Sequence, residues 1–321
     1  MFNFKVKEFL LKNKYFKKEY FLLISLLIIS ESSYSRGARP PKLLPVEKNP
    51  PIENPNAPKN PLPPTQYGLY VDQVRELARN SNCAKYSFKN RGRAPAGYIS
   101  GLAVTYAKSF CRLKQSSKLS QSVMSQMAKL ATKDSRKDAL AHYASSFDQF
   151  NLNLNSSGAI PLHAIYTLGM GLGMRETSGK YCEGWDRSAG ADRTSKEAEA
   201  GLFQTSLDSL PITKELDLLY SHYKSHPEKC FLDIFQEGVK CNSLSNLGTG
   251  KEGLEYQKFN KACPAFATEY AMIMLRVART HYGPINRKEA EVVPACFSLL
   301  SKVSEIIEND PQNSCEQFLE N

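Results

Sequence analysis

The chain has 321 residues, which is enough for one large domain with appendages or for two ordinary domains. Its 41% hydrophobic and 10% aromatic content excludes a wholly disordered protein, and 18 glycines with 18 prolines are too few for collagen. The 42 basic and 32 acidic residues give a net charge of +10, which favours an anionic partner without choosing among nucleic acid, acidic lipid and anionic polymer.

The N-terminal segment 1–35 has the layout of a secretory signal peptide. Six lysines precede the apolar run FLLISLLIIS, and small residues follow at the spacing that a signal peptidase recognises. The run is about half the length that spans a bilayer, so we expect removal of the segment and no stable membrane insertion afterwards. The segment also carries three glutamates, so its removal leaves a net charge of +7. The sequence therefore predicts a secreted or periplasmic protein.

All cysteines lie downstream of this segment, and their number is even. In an exported chain this predicts disulfides, up to four of them. Sequence separation alone makes Cys83 with Cys111, and Cys230 with Cys241, plausible local pairs. The eight are Cys83, Cys111, Cys182, Cys230, Cys241, Cys263, Cys296 and Cys315.

The chain after the signal divides into three stretches. Residues 36–66 contain ten of the 18 prolines and almost no aromatic residues, which predicts an extended linker. Residues 67–150 show apolar residues at helical spacing, as in Val71, Val74 and Ala78, and predict a helical N-terminal region. The polar run NLNLNSS starting at residue 151 suggests a boundary, with a second region over 151–321. Alternating patterns are scarce, so the predicted fold is mainly α with at most a small β element.

A largely apolar helix begins near Pro161 and is predicted to end at Arg175 and Glu176, with Gly179 as the left-handed terminator. At a helix C-terminus the backbone dipole disfavours a negative charge, and neighbouring apolar residues do the same. We therefore expect a raised pKa for Glu176, as a general acid requires at neutral pH. The plainer alternative is an exposed Glu paired with Arg175 or Lys180.

Two motifs in this region resemble the lysozyme-like superfamily shared by goose-type lysozymes and soluble lytic transglycosylases. They read GMRETSGKYCEG, starting at residue 173, and EAGLFQTS, starting at residue 199. With CPAFATEYAMIMLR and HYGPINRKEAE further on, the chain also resembles a group of secreted bacterial proteins that carry these blocks. The resemblance covers about residues 160–300 and implies a lysozyme-like helical catalytic domain over 151–321. No counterpart is found for 36–150.

The resemblance implies that Glu176 is the catalytic acid and that Gln204, Gly201 and Ser206 line the glycan cleft. Goose-type enzymes carry two aspartates where this chain has Ser195 and Ser206. A water-positioning carboxylate would then come from a polar loop, where a solvated acidic patch is the plain alternative. The candidates are Asp186, Asp192, Glu197 and Glu199.

Tyr282 falls where transglycosylases carry a tyrosine that hydrogen-bonds the acid or the sugar, with Tyr256 and Tyr270 as competitors. A tyrosine at helical spacing is more often part of the core. His163 is expected to be a packed core histidine.

Other kinds of site are disfavoured by the sequence. His222, His226, Cys230 and Cys241 have zinc-like spacing, but export favours disulfides, so we expect no metal and no cofactor. Basic residues such as Arg91 lack interleaved aromatics, which argues against nucleic acid.

The expected function is a secreted glycosidase that cuts the β-1,4 bond between the muramyl and glucosaminyl sugars of peptidoglycan. The alternatives are a lytic transglycosylase that forms 1,6-anhydro products, and a non-catalytic scaffold that binds the cell wall.

Overall fold

The computed structural model describes residues 66–185, 193–241 and 245–320. The predicted signal peptide and all but the last residue of the predicted linker lie outside this range. Within it the chain is mainly α-helical, and the β structure is a two-stranded antiparallel hairpin plus an isolated bridge. The predicted fold class is confirmed.

The elements follow the chain in a simple order. Up to residue 180 they are α1 (Leu69–Asn80), α2 (Asn82–Lys85), β1 (Ser87–Phe88), β2 (Gly92–Arg93), α3 (Ala96–Arg112), α4 (Lys118–Met127), α5 (Ala139–His142), α6 (Ala144–Phe147) and α7 (Ala159–Thr177). After it come α8 (Lys214–Ser225), α9 (Leu232–Gln236), α10 (Lys251–Ala262), α11 (Pro264–Val277), α12 (Gly283–Asn286), α13 (Pro294–Asn309) and α14 (Pro311–Glu320). Short 3-10 turns cover Asp148–Phe150, Leu207–Ile212, Pro227–Cys230 and Arg279–His281.

Three helices, α3, α7 and α11, form the centre of the molecule. Each is buried around nearly its whole circumference, which explains why their sequences are apolar on every face instead of along one stripe. The other helices pack around them, and α3 contacts α1, α9, α13 and α14. The central position of α7 matters because the predicted catalytic residue lies at its end.

Glycines allow α7 to approach its neighbours closely. A Cβ at Gly169 would lie 2.3 Å from the Met272 side chain, and one at Gly171 would lie 2.2 Å from the carbonyl oxygen of Glu291. At Gly171 the neighbour is backbone, so a side chain there would force the two segments apart, whereas at Gly169 the Met272 side chain would have to move.

Helices from both sides of residue 151 share one hydrophobic core. In the N-terminal region Val71, Val74 and Ala78 are buried on α1 as their spacing predicts. Asn151 itself adopts a left-handed conformation at the end of a 3-10 turn. The polar run therefore marks a loop within one compact unit.

A buried ionic cluster joins α3, α8 and α11. Glu269 is fully buried and accepts hydrogen bonds from Arg112, Ser109 and Tyr223. Burial is the largest influence on the pKa of Glu269 and raises it, but Arg112, Lys108 and the hydrogen bond from Ser109 together hold it below its ordinary value. We call these residues the core ionic cluster.

Four disulfides link Cys83 to Cys296, Cys111 to Cys315, Cys182 to Cys241 and Cys230 to Cys263. The prediction that the cysteines form disulfides is confirmed, and such bridges are typical of proteins in an oxidising compartment. The two suggested local pairs are wrong: Cys83 and Cys111 bond residues 213 and 204 positions away, and Cys230 and Cys241 bond Cys263 and Cys182. The packing of the first helices against α13 and α14, and not the distance along the sequence, decides the partners of Cys83 and Cys111.

Across residues 66–185, 193–241 and 245–320, none of the helices has both the length and the apolar character that crossing a membrane requires.

Candidate active site

The end of α7 positions Glu176 in the last turn of the helix. The helix runs to Thr177, one residue further than predicted, and Ser178 and Gly179 both adopt left-handed conformations. The amide of Gly179 donates to the carbonyl of Gly173 at 3.2 Å, and the amide of Ser178 donates to the carbonyl of Met174 at 3.0 Å, so the left-handed turn satisfies two of the last carbonyls of the helix. This cap fixes the direction in which the chain leaves and holds Glu176 at the rim of the buried helix.

The second motif forms a tight turn directly beside this helix end. Gly201 and Gln204 both have positive φ angles, 76° and 48°, and the Gln204 side chain donates from Nε2 to the Gly201 carbonyl at 3.0 Å. Thr177 Oγ1 donates to the carbonyl of Leu202 at 3.0 Å, and the Gly201 amide donates to the carbonyl of Glu183 at 2.9 Å. The structure therefore brings the two motifs into contact.

Asn260, on α10, holds this turn through hydrogen bonds and is not among the residues predicted from the sequence. It is buried, and its Nδ2 donates to the Ala200 carbonyl at 2.6 Å and to Thr205 Oγ1 at 2.7 Å. A Cβ at Gly201 would meet the Asn260 side chain at 3.0 Å, so a larger residue there would collide with its support. A lone Asn some 60 positions away carries no local signal, so sequence inspection has no means of finding it.

The two serines at the positions of the goose-type aspartates have local partners. Ser206 is buried, and its hydroxyl contacts Asp208 and Ser209 at the start of a 3-10 turn. Ser195 donates to the Gly250 carbonyl at 3.0 Å. Both hydroxyls hold loop structure in this state of the protein.

The four candidate carboxylates have different positions. Asp186 and Asp192 lie outside the described residues. Glu197 is exposed and accepts from the Thr194 amide at 2.8 Å and its hydroxyl at 2.9 Å, contacts that lower the pKa of Glu197. Glu199 is half-buried, and an ion pair of 3.8 Å joins it to Arg193. Among the described carboxylates of this loop, Glu199 is the one whose charge acts on Glu176.

Burial raises the pKa of Glu176 to about 7, and the negative charge of Glu199 contributes in the same direction. Arg91, Arg287 and Arg175 oppose the shift more weakly because their positive charges favour the ionised form. The direction predicted from the sequence is confirmed. The proton that a general acid donates is therefore held at pH values where an ordinary glutamate has lost it.

Tyr282 lies with both carboxylates. Its side chain is 3% exposed, and its hydroxyl has no hydrogen-bond partner among the described residues. Burial raises the pKa of the Tyr282 phenol well above its ordinary value, and the charges of Glu176 and, more weakly, Glu199 add to the effect. The competitor Tyr256 is instead fully buried, with its hydroxyl 3.1 Å from Thr205 Oγ1. Tyr270 is fully buried among aromatic rings.

The histidines and cysteines with zinc-like spacing make other contacts in the structure. Cys230 and Cys241 are both in disulfides, and the rings of His222 and His226 stack at 4.6 Å. In the described ranges no group of His, Cys, Asp and Glu side chains has a metal-binding arrangement. His163 packs on the Phe297 ring at 3.9 Å and contacts its carbonyl oxygen, so it is a core histidine.

No protein-family model matches this chain, and no curated protein or solved structure is similar to it.

Proposed function

We propose that the protein is a secreted glycosidase that cleaves the β-1,4 bond of peptidoglycan between the N-acetylmuramyl and N-acetylglucosaminyl sugars. The observation that carries the proposal is Glu176, a half-buried carboxyl group with a pKa of about 7. The negative charge of a second carboxylate, Glu199, contributes to this raised pKa. Glycoside hydrolysis requires this kind of pair, because one group must be protonated while the other is ionised.

In the proposed reaction Glu176 donates its proton to the glycosidic oxygen as the bond to the anomeric carbon breaks. Glu199 accepts a proton from a water molecule, whose oxygen bonds to the same carbon. The charges then balance: Glu176 leaves the step ionised, and Glu199 leaves it protonated. The Tyr282 hydroxyl is neutral, buried and without a partner among the described residues, so it can donate to the ionised acid.

Net charge and export support this substrate. Peptidoglycan carries peptide carboxylates, and a chain of net charge +7 after signal removal is attracted to it. The four disulfides suit the compartment in which peptidoglycan is found.

The first experiment compares wild-type protein with Glu176→Gln on purified sacculi, measured by loss of turbidity. Loss of the general acid should reduce turnover about a hundredfold or more while the far-UV circular dichroism stays unchanged. Equal activity of the two proteins would contradict the mechanism, and absence of activity in both, with wall binding retained, would favour a scaffold.

The second experiment identifies the product and the role of Glu199. Hydrolysis should yield reducing ends that gain mass on borohydride treatment, and Glu199→Gln should lower their rate of release. Because the charge of Glu199 raises the pKa of Glu176, this variant should also lose activity at a lower pH than wild type. Glu197→Gln, an exposed carboxylate in the same loop, is the matched control and should behave as wild type. Products that all lack one water would replace this proposal by the transglycosylase alternative.

A further inference from the structure

The hairpin of β1 and β2, from the N-terminal region, reaches the candidate active site through its tip. Asn90 and Gly92 adopt left-handed conformations around Arg91, and the Arg91 amide donates to the Phe88 carbonyl at 3.0 Å. The carboxylate of Glu291 accepts from the Lys89 amide at 2.8 Å and from the Tyr86 hydroxyl at 3.1 Å. The hairpin tip is therefore held against the segment that follows α12.

Arg91 spans from this tip to the end of α7. Its Nη2 donates to the carbonyl oxygen of Arg175 at 2.5 Å, next to Glu176. A guanidinium has five N–H donors, and the contacts among the described residues use one of them. The side chain is exposed, so the remaining donors are open to a ligand.

Two further arginines share one carboxylate at the same edge. Arg175 contacts Glu289 at 2.9 Å, and Arg287 contacts it at 2.8 and 3.1 Å. The side chain of Arg287 remains 62% exposed. We call Arg91, Arg175 and Arg287 the arginine rim. With Glu289 as the carboxylate shared by two of them, the rim has an excess of positive charge.

We infer that the arginine rim is a binding subsite for a carboxylate on the peptide that branches from the muramyl sugar of the substrate. This inference rests on the proposed function and adds a substrate requirement to it. Guanidinium groups match carboxylates in paired hydrogen bonds, and a neutral glycan offers no such partner.

The charge balance at Glu176 gives an independent reason. Three positive charges lower the pKa of a group that must stay protonated to act, which by itself opposes catalysis. A carboxylate bound to the rim would neutralise part of this charge and favour the protonated acid. Binding of the correct substrate would then increase the fraction of Glu176 that carries the proton.

The first test compares kcat/KM on intact sacculi with kcat/KM on glycan strands that an amidase has freed of peptides and whose newly exposed lactyl carboxyl groups are then capped as methylamides. Wild type should prefer the peptide-bearing substrate about tenfold, since one hydrogen-bonded ion pair contributes about 1.5 kcal/mol. Arg91→Gln and Arg287→Gln should each reduce this ratio severalfold. Arg93→Gln removes an exposed charge from the same hairpin and should keep the wild-type ratio. A ratio near one for wild type, or equal ratios for Arg91→Gln and Arg93→Gln, would overturn the inference.

Phosphate-bearing wall polymers offer a similar anion, so a separate control experiment distinguishes them from peptide carboxylates. Sacculi stripped of these polymers by hydrofluoric acid, with their peptides kept, should remain the preferred substrate. Loss of the preference on this treatment would overturn the assignment to a carboxylate.

A binding measurement separates this inference from the proposed function. Glu176→Gln protein is titrated calorimetrically with a disaccharide-peptide and with the same disaccharide whose lactyl carboxyl group is capped as a methylamide in place of the peptide. Tighter binding of the first, weakened by 0.3 M salt and by Arg91→Gln, supports the subsite even if no substrate is cleaved. Equal affinities would overturn the subsite even if the wall is cleaved.

Discussion

Glu269 and Glu176 are both held by central helices, yet their surroundings give them opposite acid strengths. In the core ionic cluster, Arg112, Ser109 and Tyr223 all contact Glu269, so a fully buried carboxylate stays ionised. Glu176 is less buried, and among the described residues it has no cation bound to it as Glu269 has; burial, together with the negative charge of Glu199, raises its pKa to about 7. Burial alone therefore does not produce an acid; the partners that a buried carboxylate receives, or lacks, decide its state.

The largest expected effect is on the core ionic cluster. Glu269→Gln leaves the charge of Arg112 buried without its carboxylate, so the free energy of unfolding should fall by about 3 to 5 kcal/mol. Urea denaturation with the disulfides intact measures this. Glu252→Gln, in an exposed pair with Lys196, should leave the unfolding midpoint unchanged. A Glu269→Gln protein as stable as wild type would show that the contacts of Glu269 in the core ionic cluster do not stabilise the fold.

The second prediction is that the free energy of unfolding depends on pH through Glu176. The pKa of this group is about 7 in the folded state and about 4.3 in the unfolded chain. Between these values the folded state keeps a proton that the unfolded state has lost, so stability falls as pH rises. The fall should be about 2 to 3 kcal/mol from pH 5 to pH 8, since partial exposure screens some of the shift.

Glu176→Gln cannot ionise and should lack this part of the pH dependence, so it should exceed wild type in stability at pH 8 and match it near pH 4. Glu197→Gln serves as the control and should follow the wild-type curve from pH 5 to pH 8. Parallel curves for wild type and Glu176→Gln over that range would mean that burial does not raise the pKa of Glu176.

The smallest expected effect compares two buried tyrosine hydroxyls. Tyr223 donates to Glu269 at 2.9 Å, so Tyr223→Phe should destabilise the protein by about 1.5 to 3 kcal/mol without changing the activity of the folded enzyme. The Tyr282 hydroxyl has no partner in the described part of the chain, so Tyr282→Phe should keep or slightly raise stability. It should lower activity about tenfold. A destabilised, fully active Tyr282→Phe would assign Tyr282 to the core.

Local patterns predicted the part of the site that depends on one helix. Pro161 and Gly179 delimit α7 to within one residue at its end, and the apolar residues there predicted the direction of the Glu176 pKa shift. The mainly α fold was likewise predictable, because period-two patterns are scarce in the sequence.

Features that depend on tertiary packing could not be predicted from local sequence patterns. The sequence gives no reason to prefer Glu199 over Glu197, since two carboxylates in one polar loop differ only in which way the loop turns. The cysteine partners depend on how α13 and α14 fold back onto α2 and α3. Loop closure over a short separation costs less entropy, which makes local pairs attractive on paper, but packing of the finished core overrides that cost.

The two disulfides that span the most residues, Cys83–Cys296 and Cys111–Cys315, also change how the chain responds to proteolysis. Any single cut among the 213 peptide bonds between Cys83 and Cys296 leaves two fragments that remain covalently joined. Glu176, Glu199 and Tyr282 all lie within this span, as do the loops on either side of the turn at Gly201. A protease that nicks the surface of the protein therefore releases no piece of the candidate active site, and the nicked chain should migrate as one species until its disulfides are reduced.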